Sequence, residues 1–291
     1  MGNPELSIER AGYPTINLDV DGGGPYGLQQ NTAGTGMAPI IPRFREGAAD
    51  GVQYDGDKVG AGAIDLGMIL FAEDRVEMGE RIRALRNLLR WRKDRPPAIL
   101  VASYADGQVL ELPVVYSSGL EHDYMGALPS IYQCVVGLMT PHPFWVSRDA
   151  LEFNAGGEES ATPFLDDFAG LPVAPSTVLG SFTAHNPGDV DSDLTVVVSG
   201  PSTGLITVTV NGRGWTFTQP LAGSDRITAT RTQSGVKVTD QTGANRYRDL
   251  GPAPKFPRLA PGDNTISVSM VGATSASRIS GYYRPTYEGI Y

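Results

Sequence analysis

Three aspartates at alternate positions, Asp189, Asp191 and Asp193, stand just ahead of a Gly-x-Ser-x-Gly run centred on Ser202. Carboxylates at positions 1, 3 and 5 are how a calcium loop presents oxygen ligands, and a serine between glycines is how many hydrolases expose a nucleophile. Each chemistry demands a context. A calcium loop needs glycine at its sixth position and a bidentate acid at its twelfth, and those positions are Leu194 and Gly200. A nucleophile elbow runs from strand into helix, whereas Ser202 is followed by "LITVTVNG", whose alternating β-branched residues spell a strand. The stretch therefore reads as a turn over Asn186, Pro187 and Gly188 with solvated aspartates leading into a strand, leaving at most an adventitious cation site.

The other reactive residues are few and scattered. Cys134 is the only cysteine, which excludes an intramolecular disulfide, and it lies in the apolar run "IYQCVVGLM" as a buried, inert thiol. With only His122, His142 and His185 besides, no Cys/His set has zinc spacing. Asp166 and Asp167 are adjacent in a linker-like stretch where nothing holds them against a substrate. Arg75, Arg81, Arg83, Arg86, Arg90, Arg92, Lys93 and Arg95 concentrate basic charge on one segment, but Trp91 is its only aromatic and Glu77 with Arg81 forms an i,i+4 pair. This reads as a protein contact or a solvated face rather than a nucleic-acid patch. Trp215, Tyr282, Tyr283 and Tyr287 could stack on a sugar, but aromatic residues in a β-rich half chiefly fill the core. No catalytic residue, cofactor site or metal ligand is assigned, and the chain is read as a non-enzyme.

The elements that would position such residues are mostly strands. At 291 residues there is room for two domains; Gly (36) and Pro (22) are abundant and charged residues only 19%, which favours strands and turns. A net charge of −9 disfavours binding to nucleic acid phosphates or anionic membranes. No signal peptide or membrane-length apolar run is visible, and Leu6 stands where myristoylation wants serine or threonine, so the expectation is a soluble cytoplasmic product with no membrane partner.

Residues 18 to 36 are too glycine-rich for a regular element and read as a loop or extended arm. Residues 52 to 73 read as a hairpin around the Asp55-Gly56 turn. Met78, Ile82, Leu85 and Leu89 form the apolar stripe of the one convincing helix, stopped by Pro96 and Pro97. A hairpin across Asp106-Gly107 and a strand in "SIYQCVVGLMTP" follow, ahead of "HPFWVS", giving β-β-α-β-β-β for this half. The small, acidic and proline-rich stretch 154 to 176 reads as a linker. Beyond it, "LTVVVS", "LITVTV", "WTFT", "DRITATR", "VKVTD" and "NTISVSM" are short strands between tight turns, the pattern of an antiparallel sandwich or barrel.

The order "GDKVGAGAIDLGMILFA", "RIRALRNLLR", "YADGQVLELPVVYSSGLEHDY" and "YQCVVGLMTPHPFW" resembles the N-terminal domain of siphophage distal tail proteins. The second half, with "LGSFTAHNPGDVDSDLTVVVSGP", "ITVTVNGRGWTFT" and "KFPRLAPGDNTISVSM", is similar to the galectin-like sandwich that follows it in many of them. Gly62 and Ala63 stand where a basic residue is often found, and His142 where an acid commonly precedes the P-F/Y-W. The resemblance implies a mainly β chain. Residues 1 to 155 would form a tail-tube-like β-sandwich or split barrel with one α-helix, 156 to 176 a linker, and 177 to 291 a galectin-like antiparallel β-sandwich. It further implies a homohexameric ring joining the tail tube protein to the tail-tip or baseplate hub, with a channel through which DNA passes unbound, assembled in the host cytoplasm. The acidic charge suits such a channel. A carbohydrate-binding module centred on Trp215 and used in host adsorption is the alternative, and a peptidoglycan hydrolase would need a metal triad or carboxylate pair that the residues do not supply.

Overall fold

The computed structural model describes residues 3–20, 23–47, 51–90, 93, 95–120, 130–155, 177–232 and 235–290. His122, Trp91, Arg92, Asp166, Asp167 and the linker expected at 156 to 176 lie outside the described residues. The chain forms two compact units, Met1–Arg148 with Tyr287–Tyr291, and Asp149–Thr286. The second unit is thus an insertion near the C-terminal end of the first. Its first strand, β11 (Leu151–Ala155), already begins ahead of the stretch read as a linker.

In the first unit, β1 (Glu5–Glu9), β2 (Ile16–Leu18), β3 (Tyr26–Leu28), β6 (Gly62–Phe71), β7 (Ala98–Ser103), β8 (Val109–Ser118) and β9 (Ile131–Thr140) pair in the order β2-β1-β7-β8-β9-β6-β3, with β4 (Ile40–Glu46) and β5 (Val52–Val59) forming a separate ribbon. Every pairing on that path is antiparallel. The path's two ends meet, because Asp19 N donates to Tyr26 O and Leu28 N to Asp19 O, each at 2.8 Å. The sheet is therefore an almost closed barrel, which leaves little free edge. Alternation places Ile64, Leu66, Met68 and Leu70 of β6 and Val136 and Leu138 of β9 inside.

The expected helix is α1 (Arg75–Leu89), and its start has a physical cause: Asp74 Oδ1 accepts from the Val76 and Glu77 amides at 2.8 and 2.9 Å. Its buried residues are Met78, Ile82, Leu85, Leu88 and Leu89, and they join the barrel core. Its C-terminal carbonyls are capped by a residue seventy-odd positions upstream: buried Arg10 donates through Nη1 to Leu88 O (2.9 Å) and Arg90 O (2.6 Å).

Two readings of this half are corrected. The stretch 18 to 36 is not an irregular arm throughout, since β3 forms within it and pairs with β6. It also crosses β6 tightly: Gly34 has φ +86°, and a Cβ there would lie 2.0 Å from Ala63 O. Residues 52 to 73 are not a hairpin. β5 pairs with β4, which was missed, and β6 pairs with β3 and β9. Asp55-Gly56 makes no turn, because Gly56 at φ +95° lies inside β5, where the β4 register shifts between Pro42 and Phe44, so the extra residue is absorbed as a bulge.

The second unit is a two-sheet sandwich. One sheet runs β11-β19-β13-β16-β17, with β13 (Leu194–Ser199), β16 (Arg226–Thr232), β17 (Gly235–Asp240) and β19 (Arg278–Tyr283). The other runs β12-β18-β14-β15, with β12 (Thr177–Asn186), β14 (Ile206–Val210), β15 (Arg213–Phe217) and β18 (Gly262–Val271). Inward residues of both sheets, among them Val196, Val198, Val208, Phe217, Ile266 and Val268, form one core.

Candidate functional site

Asn186 is 1% exposed and organises the turn that opens the aspartate stretch. Its Nδ2 donates to Leu259 O (2.9 Å) and Val190 O (3.2 Å), and its Oδ1 accepts from Gly188 N (3.0 Å) and Ser192 Oγ (3.2 Å). All four hydrogen-bonding positions of the amide are used in locking backbone. Asp189, Asp191 and Asp193 project outward, and Asp193 pairs with Arg258 at 2.7 Å and Arg231 at 3.7 Å. Among the described residues no group of three or more acidic, histidine or cysteine side chains converges as a metal site. Ser202 is buried, its backbone bridging Leu221 in both directions and its Oγ accepting from Leu221 N at 3.3 Å. It leads into β14, a strand, so no elbow forms.

The aromatic residues are not brought together. Trp215 is 5% exposed, stacked at 6.1 Å on Phe256 inside the sandwich, and Tyr283 is equally buried, its hydroxyl donating to His185 O at 2.7 Å. Tyr282 faces outward from β19. Tyr287 belongs to the first unit, where its hydroxyl accepts from Gln108 Nε2 at 2.8 Å. Cys134 points toward the barrel core, and burial pushes its thiol up to about 11. His185 meets Asp263 at 2.7 Å on the surface, and His142 Nδ1 lies 3.2 Å from Phe144 O, with the two rings edge-on. On α1, Arg81 pairs with Glu77 at 2.5 Å and Arg86 donates to Leu120 O, while Arg75, Arg83 and Arg90 are exposed and pair with no described carboxylate.

The Trp at the end of "HPFW" anchors the first unit. Trp145, in β10 (Trp145–Ser147), is 1% exposed and donates from Nε1 to Thr35 O at 3.1 Å; the same carbonyl accepts from Ile290 N at 3.2 Å. One carbonyl thus gathers the glycine-rich stretch, the closing strand and the end of the chain. Arg148, the unit's last residue before the insertion, is held by Glu111 (2.7 Å) and Glu9 (2.8 Å), and the Glu111 hydrogen bond foremost pushes its pKa up. The β4/β5 ribbon is exposed along nearly its whole length.

No protein-family model matches the sequence, and no curated protein matches it. Solved structures do. The Dit protein of phage SPP1, described as a paradigm of the hub adsorption apparatus in phages infecting Gram-positive bacteria, superposes with a TM-score of 0.64 at 13% identity, over 96% of this chain and 98% of that one. The chain has the fold of that Dit protein. The correspondence covers both units, so the mainly β reading, with a barrel-like sheet and one helix followed by a sandwich, is correct. A chain of the phage P2 baseplate in its activated conformation matches over 98% of each chain at 9% identity, with a TM-score of 0.49.

Proposed function

We propose that this chain is a structural protein of a siphophage tail, a distal ring that joins the tail tube to the tail-tip or baseplate hub and leaves a channel for DNA. The observation that carries the reading is the extent of the fold correspondence. It runs through a nearly closed barrel and an inserted sandwich, over 96% of the chain, which is a far more particular arrangement than either unit alone. The chemistry is compatible: the candidate serine is buried, the aspartates form no metal-holding group among the described residues, and the aromatic residues are split between core, surface and separate units. The domain roles follow the same reading, with the barrel unit building the ring and the galectin-like sandwich forming a second domain. The partners are further copies of the chain, the tail tube protein and the hub; the net charge of −9 keeps DNA from sticking as it passes. Light scattering on a sizing column tests the assembly. Six copies of 31.0 kDa give 186 kDa, and a peak at that mass supports the ring, whereas a 31.0 kDa species at every concentration overturns it.

A further inference from the structure

A single arginine carries every unsatisfied buried side-chain nitrogen or oxygen found among the described residues. Arg10 is 5% exposed, and its Nε and Nη2 are buried with no hydrogen-bond partner. Buried polar groups are otherwise satisfied, so such an exception needs a physical reason. A guanidinium has five N–H bonds, and Nη1 directs its two at Leu88 O (2.9 Å) and Arg90 O (2.6 Å). The bonds left over are those of Nε and Nη2. Nε–H and one Nη2–H run parallel along one edge of the group, the edge that grips two oxygens of a carboxylate or phosphate side-on.

Charge adds to the demand. A cation taken out of water is costly unless opposite charge meets it, and the two carbonyls at the end of α1 bring only partial negative charge to Arg10. The surroundings are basic rather than acidic. The Tyr13 ring lies against Arg10, whose Cζ is 5.8 Å from the ring centroid, and against Arg95, whose Cζ is 5.5 Å from it; Arg95 Nη1 also donates to the Tyr13 hydroxyl. One ring thus gathers two guanidinium groups, and neither pairs with a described carboxylate. In a chain of net charge −9, that local excess of positive charge favours an anion. The turn that joins Arg10 to Tyr13 is open to solvent: Ala11 and Gly12 are exposed, and a Cβ on Gly12 would meet nothing within 4 Å.

We infer that Arg10 is the floor of a binding site for a small oxyanion of the phosphate class, taken side-on by Nε and Nη2 at the β1–β2 turn, with Arg95 supplying a second positive charge. A dianion matches two guanidinium groups, so phosphate binds more tightly than acetate, and chloride, with no second atom for the fork, does not replace it. The bound anion ties the turn after β1 to the C-terminal end of α1. The site lies within one copy of the chain and is independent of the ring reading. The test is equilibrium dialysis of the full chain against radiolabelled inorganic phosphate, with ionic strength held constant by sodium chloride. Uptake saturates in the millimolar range or below at a single phosphate per chain. Arg10→Lys keeps a positive charge but has no fork, and it weakens binding about tenfold or more; Arg95→Gln weakens it about threefold, and Arg75→Gln, at the opposite end of α1, leaves it unchanged. Hydrogen exchange on the unmodified chain locates the site without a variant: phosphate slows exchange in peptides covering the β1–β2 turn and leaves those of β14 as they were. Uptake that does not saturate overturns the inference, as does binding that Arg10→Lys leaves intact or that Arg75→Gln reduces as much as Arg95→Gln does. Unchanged exchange in the turn overturns it too. So does a chain that takes up no phosphate in the millimolar range, because a water molecule at the fork would satisfy the hydrogen bonds with no dependence on the anion.

Discussion

Alanine in place of Asn186 tests whether the aspartate stretch is a structural turn. The substitution deletes four hydrogen bonds, but their losses differ. Leu259 O still accepts from Ser192 N at 2.8 Å, and Ser192 Oγ still lies 3.5 Å from Thr286 Oγ1. Gly188 N is left with no acceptor in a buried position, the most costly of the four. One orphaned donor at about 2 kcal/mol and weakened satisfaction elsewhere give a destabilisation of about 3 kcal/mol. With a urea dependence of about 2 kcal/mol per molar, the midpoint of the sandwich falls by roughly 1.5 M. Hydrogen exchange across a urea series, read on peptides from β14 for the sandwich and β6 for the barrel, measures it. A β14 midpoint shift under roughly 0.5 M would refute the reasoning. Asn186→Asp sharpens the test, because a carboxylate there faces the Val190 and Leu259 carbonyls. Its folded-state pKa lies above its unfolded value, so the variant keeps its stability below about pH 4 and loses it as pH rises through the raised value.

Trp145→Ala should cost about 3 to 5 kcal/mol in the barrel unit through the cavity and the lost bond to Thr35, while Trp145→Phe keeps most of the packing and costs about 1 to 2 kcal/mol; thermal denaturation of both separates packing from hydrogen bonding. With its thiol pushed up to about 11, Cys134 should alkylate at pH 8 roughly a hundredfold more slowly than an unstructured cysteine peptide and gain about tenfold per pH unit. Because that pKa is raised on folding, the thiol's contribution to stability is intact below about pH 9 and is lost as pH climbs toward 11. An ordinary rate at pH 8 would contradict the burial. Calcium at millimolar concentration should leave the melting midpoint within about 1 °C, since Asp189, Asp191 and Asp193 form no group that could hold a metal ion; a larger rise would establish a cation site there.

What could be read in advance was local. The helix was legible because its apolar stripe holds one spacing over several turns, although it ends at Leu89, ahead of the prolines, and the central strands of the sandwich because β-branched residues alternate between tight turns. The calcium and nucleophile readings could be rejected from Leu194, Gly200 and the strand after Ser202 alone. The ribbon was illegible because a glycine with positive φ serves equally in a turn or a bulge, and only the partner strand decides. Arg10 gave no signal, since its role depends on carbonyls some eighty residues away. The insertion of one unit into the other was hidden for the same reason: Ile290 reaches Thr35 through tertiary contact that no local pattern encodes.

The central claim, a tail ring with an open channel, is tested most directly by electron microscopy of the assembled peak from the sizing column. The account predicts six-fold rings with a central hole wide enough for duplex DNA, about 20 Å or more. Compact particles without a hole, or open filaments that never close, would contradict it.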